Sequence, residues 1–469
     1  MPEETGKLSP FDCVSPFDFR YYATDPRLVE LLGPYVTERG RLRAEARVEA
    51  AAARVLARHG ICPPEAAEEI ARAAEEVTAE EIATEDARIH HETRALVNSL
   101  QRRVSAAARP FVHLTLTSFD VKDTAAAWRF RQAATGVIVP ELNELIRVLI
   151  GLARREQDTL QIGRTHGQHG VPITFGLAIA CYVSRLGGRS EAIRQATEGL
   201  CGKISGAVGA YNASSLLLDD PLAFEREVLA ELGLEPSPSS TQIVEAEPLT
   251  DYLHALISTL GVLANVGDDL RHLQRTEIAE VGEAFEAEQV GSSTMPHKRN
   301  PWNCENVKSM WKAMMPRMVS VYADQISEHQ RDLTNSASAR FLPEVIVALV
   351  STVQRLRRIM GRLVTDREQM RRNLEMTRGL FAAEPAYILL ASVGHPDAHE
   401  AVRQVTLRAE AEGLPFAEAL EQADELRPYL DRLPAAQREL LADPSRYVGQ
   451  SSRKTELLCA MWEQRLGLG

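Results

Sequence analysis

Residues 251–273 read DYLHALISTLGVLANVGDDLRHL, and their spacing decides the fold. Leu253, Leu256, Leu260 and Leu263 recur three or four positions apart, the interval that lines one stripe of an α-helix. The stretch ELNELIRVLIGLA at 141–153 does the same with Leu142, Leu145, Ile146, Leu149 and Leu152, and Val345, Leu349, Val353, Leu356, Met360 and Leu363 continue the pattern. Alternating runs of apolar and polar β-branched residues are nearly absent, so little strand is expected and the chain reads as all-α. Pro110, Pro140, Pro172, Pro301 and Pro343 punctuate the middle into helices longer than the globular average. Several such helices in succession predict a bundle, and apolar faces this broad predict that part of each helix meets another subunit.

At 469 residues the chain has room for about three domains, or for fewer around one long helical core. Apolar residues at 45% and charged residues at 25% place it among ordinary globular proteins. A net charge of −12 speaks against general nucleic-acid binding, which phosphate contacts dominate, but leaves room for a local basic pocket holding one anionic ligand. Cys13, Cys62, Cys181, Cys201, Cys304 and Cys459 form no CxxC pair in a chain too large to need disulfide staples, so they are expected to be reduced and mostly in the core. The opening MPEETGKLSPFD has neither the basic nor the apolar region of a secretory signal, and ALISTLGVLANV at 255–266 is too short to span a bilayer. These features predict a cytoplasmic protein without a membrane or nucleic-acid partner. The glutamates of residues 65–87 are expected to form a solvated helix face.

One stretch resists a purely structural reading. Residues 291–301, GSSTMPHKRNP, carry no helix or strand period and hold Gly, Ser, Thr and Pro, the signals of a loop. Asn300 followed by Pro301 is expected to cap the next helix, with proline at its first position. Free backbone N–H groups and the Lys298 charge would favour negative charge there, and a serine such as Ser292 becomes a base only where its alkoxide is stabilised.

The whole string resembles the signature loop of the fumarase/aspartase superfamily, whose members eliminate a group β to a carboxylate and release fumarate. Further segments, in order, are similar to those of the adenylosuccinate lyases: FRYY at 19–22, IHHETRAL at 89–96, HLTLTSFDVKDTA at 113–125, GRTHGQHGVPITFG at 163–176 and QRDLTNSASAR at 330–340, with KISGAVGAYNA at 203–213 and DPSRYVG at 443–449. The resemblance spans nearly the whole chain. It implies a small helical domain at 1–110, a long central bundle at 111–362 and a helical cap at 363–469. It also implies a homotetramer whose active sites draw residues from three subunits, acting on a succinyl nucleotide.

Elimination beside a carboxylate needs a base, donors for the developing dianion and an acid for the leaving nitrogen. By resemblance Ser292 is the base, and Lys298 and Asn300 bind a substrate carboxylate. His166 is the acid, an imidazole being suited to proton transfer near neutrality. His91 contacts phosphate or assists that acid, and which histidine delivers the proton stays open. Thr117, Ser118 and Gln242 offer hydroxyls and an amide to a carboxylate, with Ser293 and Met295 as further contacts in the loop. Arg20, Tyr21, Arg331, Ser336 and Arg340 match contacts to phosphate and purine, where forked guanidinium groups suit an oxyanion. Phe119, Ala246 and Ala339 depart from what these enzymes usually carry, and all three bear on substrate choice. His395 and His399 stand four apart without a third ligand, no glycine-rich phosphate loop is present, and neither a metal nor another cofactor is implied.

Overall fold

The computed structural model describes residues 13–286, 288, 291–327 and 329–468, so the reading of residues 1–12 lies outside the described residues. Helices make up most of the described residues. The named strands form two short antiparallel pairs, β1 (Leu160–Thr165) with β2 (Gln168–Thr174), and β3 (Val281–Gly282) with β4 (Val364–Thr365). Every residue of the three leucine-rich stripes is buried, on or at the end of helices Val139–Arg155, Glu247–Leu273 and Leu342–Gly361. Each buried leucine contributes about 1.5–3 kcal/mol relative to an exposed one, so the stripes favour the packing of these helices.

Contacts divide the chain into two compact units. The first comprises Met1–Leu142, Gly188–Leu263 and Ser309–Gln354; the second comprises Asn143–Gly187, Ala264–Lys308 and Arg355–Gly469. The three long helices just named, together with Phe175–Glu198 and Trp302–Met314, have residues in both.

In the first unit, helix Glu38–Arg58 presents Ala44, Ala46 and Ala50 to Ala53 as a buried small-residue surface. Such a surface permits close approach, here by helices Pro64–Glu76 and Ser118–Ala133. Helix Pro64–Glu76 buries its alanines and Ile70 and leaves Glu65, Glu68, Glu75 and Glu76 exposed, a solvated acidic face. Glu85 departs from that expectation, being buried under Arg88, Arg102 and Asn98. His90 and His91 do not share a helix. His90 ends helix Ala79–Ile89 in the left-handed region at φ 53°, and His91 is the N-cap of helix Glu92–Arg103.

In the second unit, Gly187 has no side chain because a Cβ there would fall inside the Trp462 ring. Arg154 holds both Glu456 and Glu463 at 2.9 Å, fixing helix Ser451–Leu466 along helix Val139–Arg155. A separate apolar cluster from Ala382 to Leu441, centred on Leu390, Phe416 and Leu426, lies among the short helices that precede it. Cys62, Cys201, Cys304 and Cys459 are buried and Cys181 is exposed. His395 packs on Tyr429 and His399 on Tyr387, and no cluster of three or more metal-ligating side chains occurs among the described residues. No helix among them is long and apolar enough to cross a membrane.

Candidate active site

His166 stands at the tip of a β-hairpin. Strands β1 and β2 pair Thr165 with Gln168, leaving His166 and Gly167 as a two-residue turn with φ 56° and 76°. Positive φ at both positions is the type I′ geometry that matches strand twist, and it puts an exposed imidazole at the apex. The hairpin is fixed just below. Arg164 grips the fully buried Glu280 carboxylate with two N–H groups at 2.6 and 3.1 Å, and Gln161 and Asn373 each donate to it at 2.8 Å. Burial first, then the Arg164 charge, hold His169 below the ordinary imidazole range. Strand was missed here in the sequence because His-Gly was not read as a hairpin turn.

Loop 291–301 closes on itself. The Ser292 hydroxyl oxygen accepts the N–H of Met295 at 3.1 Å and that of Thr294 at 3.4 Å. Lys298 N–H donates to the Met295 carbonyl, and the Asn300 amide donates to the Gly291 carbonyl, each at 3.0 Å. Gly291 is required because a Cβ would collide with the Lys298 carbonyl. Ser293, Met295 and Lys298 are left exposed.

The expectation for Asn300 is corrected. It closes this loop and does not cap helix Trp302–Met314, which begins after Pro301. Glu283 takes over the capping, accepting the Cys304 N–H and the Asn303 side-chain amide at 2.8 Å each. A carboxylate at a helix N-terminus opposes the partial positive charge there. Being distant in sequence, it left no local signal.

The remaining candidates belong to the first unit. Arg20 and Tyr21 lie in a single wide helical turn, Phe17–Tyr21, where Phe17 packs against Tyr21. His91 accepts the Arg94 N–H on Nδ1 at 3.1 Å, so its neutral form carries the proton on Nε2, turned away from the helix. Its neighbour Glu92 pairs with Arg340 and, at 2.8 Å, with Lys122. Burial alone would raise the Glu92 carboxyl, but hydrogen bonds from Lys122 and Arg340 bring it down to about 2. Sequence reading did not find Glu92 or Lys122.

Thr117 is the N-cap of helix Ser118–Ala133, and its N–H donates to Asp120 at 2.8 Å. Asp120 and Lys203 form a fully buried ion pair at 2.5 Å, with the ammonium also bound to the Gly206 carbonyl. Thr117 followed three positions on by an acidic residue is a capping signature that could have located Asp120. Gln242 N–H donates to the Gln330 carbonyl at 3.1 Å. Arg331, at φ 88°, spends its guanidinium on the carbonyls of Asp324 and Gln325. Ser336 is exposed, with its N–H on the Leu333 carbonyl.

His166, Ser292, Ser293, Met295, Lys298 and Asn300 thus fall in the second unit, and the other candidates in the first. No hydrogen bond or ion pair joins His166 to Ser292 or Lys298 among the described residues. The second unit carries a serine hydroxyl with backbone donors on its oxygen, an ammonium and an imidazole at the tip of a hairpin. The first carries Arg20, Arg331 and Arg340, the last two bonded within the chain, and the hydroxyls at the start of helix Ser118–Ala133.

Comparisons with known proteins place the chain among the lyases. Residues 20–315 match the family model described as Lyase, and residues 327–438 match that of the adenylosuccinate lyase C-terminal region. The adenylosuccinate lyase of Pyrococcus horikoshii is 35% identical over 445 residues, covering 93% of this chain and 95% of that protein. That of Methanothermobacter thermautotrophicus is 33% identical over 450 residues, covering 94% and 97%. Among solved structures, the 3-carboxy-cis,cis-muconate lactonizing enzyme of Pseudomonas putida superposes with a TM-score of 0.81 at 28% identity, covering 96% of this chain and 99% of that one. The chain belongs to the adenylosuccinate lyase family, carbon–nitrogen lyases of the fumarase/aspartase superfamily.

Proposed function

We propose that the protein cleaves adenylosuccinate to AMP and fumarate, and the succinyl-carboxamide ribotide of purine synthesis to its carboxamide and fumarate. The observation that carries the reading is the pair of backbone N–H groups on the Ser292 oxygen, since donors aimed at an alkoxide favour the ionised form. Ser292 takes the proton from the carbon beside the carboxylate. Charge then builds on that carboxylate, where Lys298, Asn300, Thr117, Ser118 and Gln242 receive it, with Ser293 and Met295 lining the loop side. The C–N bond breaks as the C=C bond forms, and His166 supplies a proton to the departing nitrogen, assisted by His91. Arg20, Tyr21, Arg331, Ser336 and Arg340 hold the nucleotide.

The active assembly is a homotetramer in which three chains complete each site, each chain organised as 1–110, 111–362 and 363–469, in the cytoplasm. Exposed apolar side chains support association: Val319 and Tyr322 on helix Arg317–Ala323, and Met315 and Ile326 flanking it, are open to solvent in one chain. Light scattering is expected to return four chains, and an active monomer would contradict shared sites.

A second reading is favoured by one observation. Ala246 stands where adenylosuccinate lyases tend to carry Arg or His and Ala339 where they carry an acidic residue, so polar contacts that would select the nucleotide are missing. Fumarate release across a panel of N-substituted aspartates separates the two. The succinyl nucleotides should be the fastest substrates, and a faster non-nucleotide aspartate would establish the sibling activity. A lactonizing activity is disfavoured by His166, which cycloisomerases of the superfamily generally lack.

A further inference from the structure

A cavity of about 100 Å³ in the first unit is walled by Phe130, Leu249, Leu253 and Leu342 on its apolar side and by Asp123 and other charged residues elsewhere. Asp123 lies five residues beyond Ser118 on helix Ser118–Ala133, and it accepts the Val244 N–H at 2.9 Å. That bond fixes the segment carrying Gln242. Thr241 N–H turns back onto the Ile243 carbonyl at 3.0 Å, and Gln242 N–H reaches the Gln330 carbonyl, next to Arg331. One carboxylate therefore ties the helix that starts with Thr117 and Ser118 to the strip holding Gln242, and through it to the segment of Arg331, Ser336 and Arg340. The Val244 hydrogen bond is a side-chain tie from helix Ser118–Ala133 to this strip, beside the backbone bond of Gln242 to Gln330.

We propose that Asp123, in its ionised form, is the positioning residue that holds the segment carrying Gln242 onto the helix that starts at Ser118. The inference rests on the proposed lyase reading and adds a residue that does not itself touch substrate.

Every charged neighbour bears on its titration. Asp120 on its own helix repels it, Lys203 and Arg331 attract it, and Glu245 and Asp324 share the cavity. Glu245 is engaged by the Ser237 hydroxyl and Asp324 by that of Ser338. Burial dominates and pushes the Asp123 carboxyl up to about 6, against the Val244 hydrogen bond. A protonated carboxyl is a weaker acceptor than a carboxylate, so the hold on Val244 slackens as pH falls through that value.

Asp123→Asn keeps the shape and one acceptor and removes the charge. The Michaelis constant for the succinyl substrate is expected to rise about tenfold, the loss that follows from weakening one charge-assisted hydrogen bond, with turnover nearly unchanged. The inflection near pH 6 in kcat/KM should vanish. Glu245→Gln, in the same cavity but not bonded to Val244, should keep that inflection. Unchanged KM and an unchanged acid limb in Asp123→Asn would overturn the proposal.

Should that variant not fold, fumarate binding to the unmodified protein decides the matter by calorimetry, because fumarate itself stays ionised across the range. Affinity should weaken below about pH 6, a carboxyl titration well above the usual range, and pH-independent binding would overturn the proposal. A protein that cleaves no succinyl nucleotide, yet binds fumarate with this pH dependence, would refute the substrate while Asp123 kept its role.

Discussion

Ser292→Ala is expected to lower turnover by roughly 10²–10⁴, the usual contribution of a positioned acid–base group. The loss should come without unfolding. Among the described residues the bonds from Met295 and Thr294 depend on the hydroxyl, whereas Asn300 on Gly291, Lys298 on Met295 and Gln274 on the Arg299 carbonyl keep the loop closed. Steady-state fumarate release and the thermal unfolding midpoint, measured together, test both halves. Near-normal turnover would mean that another group removes the proton, while a large fall in the midpoint would mean that the hydroxyl is chiefly structural.

The difference between what was legible in the sequence and what was not follows the range of the interactions. The helices were legible because a stripe such as Leu253, Leu256, Leu260 and Leu263 states its burial at a fixed local period, and all four residues are buried. The cap of helix Trp302–Met314 was misread because Asn-Pro is a sound local signal, yet the capping carboxylate comes from Glu283, across a loop that needs Asn300 for its own closure. The clamp on the His166 hairpin was invisible for the same reason. Arg164 and Glu280 are 116 residues apart, and neither has a periodic context. Motif spacing located candidates such as Ser292 and Thr117, but not the buried charges behind them. Asp120 and Lys203 are 83 residues apart, and in sequence each looks like a surface residue.

That pair supports the second large effect. Lys203→Met is expected to cost about 3–5 kcal/mol of stability, the usual penalty when one partner of a buried ion pair is removed and the other stays. Both side chains are fully buried, so water cannot replace the ammonium at Asp120. The stranded carboxylate would keep only the N–H groups of Gly206, at 3.1 Å, and Thr117, at 2.8 Å. Denaturant titration of the variant beside Asp120→Asn/Lys203→Met separates charge from packing. The double variant leaves no buried charge and should recover part of the loss, since neutralising both members of such a pair is often tolerated. Substrate binding should not recover with it, because an amide offers one carbonyl where the carboxylate satisfied Thr117, Gly206 and Lys203 together. A single variant as stable as the unmodified protein would show that the site admits water, and Asp120 would then have no claim to hold Thr117 and the start of its helix in place.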